Sequence, residues 1–116
     1  MRNMSFSLTT QQMRDRTKTV TRRNGWGHLK PGDLVQACVK CRGLKKGACI
    51  EKIGVIRIVS TRWVPLRQID PADVVREGFP DLSPEAFIAM FMKSHRGIGR
   101  ADAVNRIEFE HVDNGC

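Results

Sequence analysis

A chain of 116 residues with 41% hydrophobic content suits one domain, residues 1–116 with a core at about 4–112, and is short for two. No apolar run approaches the about 18–20 residues that cross a bilayer, and the opening Met1-Arg2-Asn3-Met4-Ser5-Phe6 lacks the apolar segment of a secretion signal; no membrane partner and a cytoplasmic location are therefore expected. The formal charge of +8 suits either phosphates, whose bound counterions basic patches release, or a solvated surface.

Met4 to Leu8 reads as a short strand with Phe6 and Leu8 on one face. Thr9 or Thr10 can cap a short helix running to Arg16. Val20 to Arg23 suits a brief strand, and Asn24-Gly25-Trp26-Gly27 interrupts regular structure. Lys30-Pro31-Gly32-Asp33 has the residues of a type II turn and delivers a strand from Leu34 to Cys41. Arg42 to Ala48 reads as a basic loop. Ile50 to Ser60 is the longest strand, with a bend or bulge expected at Gly54, and Trp63 to Leu66 continues the sheet after a short break.

Two helices follow. Asp70-Pro71 supplies an N-cap and a first-turn proline, with Gly78 closing the segment after Glu77. Ser83-Pro84-Glu85 repeats the start signal, and Phe87, Ile88 and Phe91 then form an apolar stripe with Met90 beside it. Ser94 to Ala103 is a glycine-containing loop, and Val104 to Val112 closes the chain as a strand with Ile107 and Phe109 on one face. Several strands with short helical insertions make a small, mostly β (α+β) domain. Pattern alone does not separate a barrel from a sandwich.

The basic residues concentrate. Arg14, Arg16, Lys18, Arg22, Arg23 and Lys30 face the single acid Asp15 between positions 14 and 30, and Lys40, Arg42, Lys45, Lys46 and Lys52 form a second cluster. A solvated surface is the alternative reading; the density of charge around Lys18 favours nucleotide or RNA. Lys18-Thr19-Val20-Thr21-Arg22-Arg23, followed by Gly32-Asp33 and later Glu77-Gly78, then stands out. On a straight strand Lys18 and Thr21 would face opposite ways, so they share a pocket only if the chain turns between them, where helix gives way to strand. A hydroxyl needs a neighbour to accept its proton before it attacks, and a lysine serves if burial or nearby cations lower its pKa. Arg22 and Arg23 would push that way and an ionised Glu77 would oppose it.

This Lys-x-x-Thr-x-Arg pattern, ahead of an apolar run, resembles the signature of the ASCH family in the PUA-like superfamily, over about Met4 to His111. The resemblance implies a PUA-like β-barrel decorated with helices. One branch of that family removes the acetyl group from the exocyclic amine of acetylcytidine, without metal or other cofactor. It implies Lys18 as proton acceptor, Thr21 as nucleophile and Glu77 as proton donor, with Arg23 at the family's basic position. Arg22 departs from the apolar residue found there in the acetylcytidine enzymes. A pyrimidine nucleoside or a base in RNA is the expected partner. A non-catalytic RNA-binding module using Arg22, Arg23, Lys45 and Lys46, and an RNA-cleaving protein, are the competing readings.

Trp26, between two glycines, is a candidate stacking platform for a base, or a lid or core residue. Cys38, Cys41 and Cys49 lack the second ligand pair of a structural zinc site, and Cys38 and Cys41 would face opposite ways on a strand. Reduced thiols are expected, with no metal. Gly97-Ile98-Gly99 lacks the spacing of a phosphate loop.

Overall fold

The computed structural model describes residues 1–40 and 50–112. Residues 41–49, on which the expected basic loop with Lys45 and Lys46 falls together with Cys41 and Cys49, lie outside the described residues, as does Cys116. Five strands, β1 (Arg2–Ser5), β2 (Val20–Arg23), β3 (Leu34–Cys38), β4 (Lys52–Pro65) and β5 (Ala103–Val112), form one sheet in the order β1-β3-β4-β5-β2. β1 runs parallel to β3, and the other neighbours are antiparallel. Three helices, α1 (Thr10–Arg14), α2 (Pro71–Arg76) and α3 (Pro84–Ser94), decorate it.

The capping signals operate as expected. Asp70 accepts from the Asp73 amide at 2.7 Å and Ser83 Oγ from the Ala86 amide at 3.1 Å, each just ahead of a first-turn proline. Gly78 closes α2 with φ +99. α1 differs: its N-cap Thr9 makes no side-chain cap, Thr10 Oγ1 instead donates to the Phe6 carbonyl, and the helix stops at Arg14, just before Arg16 at φ 63. Strand alternation also ends early. Phe6 is buried, but the chain has already turned toward α1 at Leu8, which is exposed.

β4 is longer than its sequence pattern implied. It runs without a break from Lys52 to Pro65, because Thr61 to Pro65 all find partners on β5. Two register shifts curve it. Ile53 is the extra residue between the pairs Ala37–Gly54 and Cys38–Lys52, beside the expected bend at Gly54, and Val59 is extra between Ile58–Phe109 and Ser60–Glu108. Bulges of this kind increase twist and bend a strand, wrapping β4 around a core of Met4, Phe6, Met13, Ile56, Ile58 and Ile107. A second apolar cluster joins Val74, Phe87, Ile88 and Phe91 of the helices to Leu66 and Val104.

The expected barrel is not closed. β1 and β2 are both edge strands of four residues, and no ladder joins them among the described residues. Arg23 reaches across the seam: its Nη2 on β2 donates to the Ser5 carbonyl on β1 at 2.7 Å, with its guanidinium 4.7 Å from the Phe6 ring centre.

Candidate functional site

Beside this seam lies a cavity of about 220 Å³. Lys18, Thr21, Arg22, Arg23 and Glu77 all line it, so the structure brings together the three side chains singled out for chemistry. The required turn between Lys18 and Thr21 exists: Lys18 sits in the link between α1 and β2, and Thr21 on the strand itself. That link is fastened on several sides. The Thr19 amide donates to the Arg76 carbonyl, the Thr19 carbonyl accepts from Phe109, and His111 Nε2 stands 2.7 Å from the Lys18 carbonyl, so this ring nitrogen must be the donor. Glu77 arrives from the C-terminus of α2.

The charged groups form one buried network. Lys18 Nζ donates to the Glu77 carbonyl at 2.6 Å and to its Oε1 at 3.1 Å. Arg22 Nη1 donates to Glu77 Oε2 at 2.9 Å and Arg22 Nη2 to Asp73 Oδ2 at 2.7 Å. Arg106 grips Asp73 through two nitrogens, at 2.7 and 2.9 Å, and Arg76 reaches it at 2.9 Å. The Arg106 guanidinium foremost, with help from Arg22 and Arg76, holds the Asp73 carboxyl well below the usual carboxylate range despite desolvation. Burial pushes the Lys18 ammonium below its ordinary 10.5; Glu77 opposes that through charge and hydrogen bond, and Arg23 and Arg22 add smaller downward pushes. The neutral amine that a general base requires is thereby made more accessible.

Thr21 is buried, and its Oγ1 accepts from Arg23 Nε at 3.0 Å. No hydrogen bond joins it to Lys18 Nζ. Because Arg23 fills an acceptor position, the hydroxyl proton remains available to a base. Opposite these polar groups stand Phe79, Phe87, Met90 and Phe91, with the His95 ring stacked on Phe91 at 3.9 Å between centres. A cavity with one apolar aromatic wall and convergent polar groups has the general form of a small-molecule site.

Arg22 does line the cavity, but its charge is committed to Glu77 and Asp73. Trp26 is not among the lining residues. It sits at φ 60 against the main core, with the Arg2 guanidinium 4.9 Å from its ring centre. The sequence reading missed Asp73, Arg106 and the cavity-facing role of His95. Nothing local marks Asp73, an acid in the first turn of α2, as the partner of an arginine 33 positions away. The apolar stripe of α3 was read as core, and Phe87 and Phe91 are both core and wall.

No family model matches the sequence, and no curated protein matches it either. Solved structures do. A hypothetical protein designated PH0355 aligns over 96% of each chain, at 13% identity and TM-score 0.65. Protein EF3133 from Enterococcus faecalis V583, of family DUF984, aligns over 97% of this chain and 76% of its own, at 14% identity and TM-score 0.64. An ASCH domain from Lactobacillus crispatus JV V101 aligns over 95% of this chain and 78% of its own, at 16% identity and TM-score 0.61. The chain therefore has an ASCH-type, PUA-like α+β fold.

Proposed function

We propose that this ASCH-type protein is an amidohydrolase that removes an acyl group from the exocyclic amine of a pyrimidine nucleoside of the N4-acetylcytidine type, acting in the cytoplasm. The observation that carries the reading is the meeting of Lys18, Thr21 and Glu77 in one cavity under an aromatic wall. At about 220 Å³ that cavity is smaller than the about 300–1,000 Å³ of drug-sized ligand sites, which suits a base and its acyl group.

The proposed steps use these groups in turn. Thr21 Oγ1 attacks the acyl carbon while its proton passes to neutral Lys18. Lys18, hydrogen-bonded to Glu77 Oε1, hands a proton on, and Glu77 delivers it to the departing amine, so that cytidine leaves uncharged. Water then cleaves the acyl-threonine ester with the same groups working in reverse. Arg23, whose Nε donates to Thr21 Oγ1, is assigned the stabilisation of the oxyanion that develops beside that oxygen. Lys18 and Thr21 must close on each other once substrate is seated, as catalytic hydrogen bonds tighten in the Michaelis complex.

The test is conversion of free N4-acetylcytidine to cytidine, followed by chromatography. Lys18→Met and Thr21→Ala are expected to lose at least about 100-fold in kcat, the usual worth of a general base or more, while keeping the wild-type circular dichroism spectrum. Turnover unchanged in both variants would remove the mechanism.

One observation favours a second reading, a non-catalytic pocket for a base in RNA. Thr21 Oγ1 is bound to Arg23 and not to Lys18, as a purely structural hydroxyl would be. On that reading acetylcytidine survives incubation, and RNA binding weakens as salt rises.

A further inference from the structure

The face of the sheet beneath α2 carries a feature that the cavity chemistry does not use. Arg22 on β2 pairs directly with Arg106 on β5, and Arg106 pairs directly with Arg62 on β4. Three arginines thus lie side by side across three adjacent strands. Like charges directly opposite one another destabilise a sheet, so such a row needs a compensating anion. Asp73 supplies it for Arg22 and Arg106. For Arg62 there is none: it is exposed and makes no hydrogen bond or ion pair among the described residues.

Arg62, Arg106 and the half-exposed Arg76 of α2 line two adjoining hollows. One is a cleft of about 200 Å³ that also includes Arg22, Asp70 and Asp73. The other is a wider trough of about 600 Å³ that adds Thr19, Ser60 and Glu108. The cleft sets four guanidinium groups against two carboxylates. Of these, Asp70 accepts from a backbone amide as the cap of α2, and Asp73 is saturated by Arg22, Arg76 and Arg106. Glu108 lies 3.6 Å from Arg106. Arg76 spends only Nη1 on Asp73, and Arg62 spends nothing.

We propose that this cleft and trough, centred on Arg62, Arg76 and Arg106, bind the phosphodiester backbone of single-stranded RNA. A trough continuing from a cleft suits a chain of phosphates better than one isolated anion, and planar guanidinium groups match phosphate oxygens. The inference rests on the second reading above, a pocket for a base in RNA, and is independent of the deacylation chemistry.

Fluorescence anisotropy with a labelled decauridylate over a salt series tests it. Arg62→Gln and Arg76→Gln are each expected to weaken binding several-fold and to reduce the slope of log affinity against log salt by about 0.7, the value for one lost single-strand phosphate contact. Arg57→Gln, on the same strand but paired with Glu110, should bind as wild type. Equal affinities and slopes for Arg62→Gln and wild type would overturn the proposal. So would equal weakening by all three variants, which marks a diffuse charge effect, or an Arg62-dependent rise in melting temperature with inorganic phosphate that has no counterpart in RNA affinity. Arg62→Gln should turn over acetylcytidine normally. Absent turnover in wild type with Arg62-dependent RNA binding would sink the chemistry and leave the cleft; the reverse pattern would sink the cleft alone.

Discussion

Lys18 answers two opposed demands. Burial disfavours its charge, whereas Glu77, at 3.1 Å, favours it. Removing the Glu77 charge should tip that balance. In Glu77→Gln the Lys18 amine loses its main upward push, so its titration midpoint should fall below that of wild type; 13C-lysine NMR reads this directly, and a midpoint unchanged or raised would contradict the network described. The sign carries into catalysis, since turnover that needs the neutral amine rises with pH through the Lys18 pKa. Lys18→Met should also fold, because Glu77 keeps Arg22 as a partner, and a buried pair is dangerous to break only when it strands a charge. Of these residues, Lys18 and Thr21 were legible in the sequence because they sit three apart in one local pattern. That Lys18 is in fact buried, and that Glu77, 59 positions away, is its partner, was not, since both come from tertiary packing.

α2 shows how one short helix can hold a site together. Its N-cap and its closing glycine were readable because capping is a local matter of hydroxyl, carboxylate and φ. What the helix presents inward was not, because Asp73 acquires its role only from arginines on β2 and β5. Asp73→Asn should destabilise the fold by on the order of 3–5 kcal/mol at pH 7 in urea titration, as breaking a buried charge network does. It should also flatten the acid limb. A carboxyl depressed in the folded state contributes stability above its ordinary 3.8, and that contribution is lost as pH falls from there toward the folded-state value; the asparagine variant lacks it at every pH. Gly78 gives a second check. It has φ +99, and an added Cβ would meet Gln12 Cγ at 3.0 Å, whereas Gly32 at φ +93 has open space around it. Gly32→Ala should cost the backbone strain alone, on the order of 1–3 kcal/mol, and Gly78→Ala measurably more. Equal losses would show that α1 yields freely at that contact.

The open sheet explains why a cavity exists at all. A fully paired barrel would carry a β1–β2 ladder along the seam; here two four-residue edges leave a gap, and the seam is closed at one place by Arg23 reaching from β2 to the Ser5 carbonyl. The sequence implied the strands and their alternation, but closure depends on where β4 bends and how far the edges extend, and periodicity carries neither. The two bulges at Ile53 and Val59 do that work. Arg23 therefore has a role beyond its local contacts with Thr21 and Phe6: it ties the floor of the cavity to the strand across from it. Arg23→Ala should loosen β1 selectively. Hydrogen bonds to charged groups are worth about 1.5–3 kcal/mol, so native-state exchange of the β1 amides should accelerate by on the order of tenfold or more, while the β4–β5 amides, at the centre of the sheet, keep the protection set by global unfolding. Uniform acceleration across all five strands would mean that Arg23 supports the whole core. Acceleration confined to β1 would identify the seam as the place where the cavity can widen.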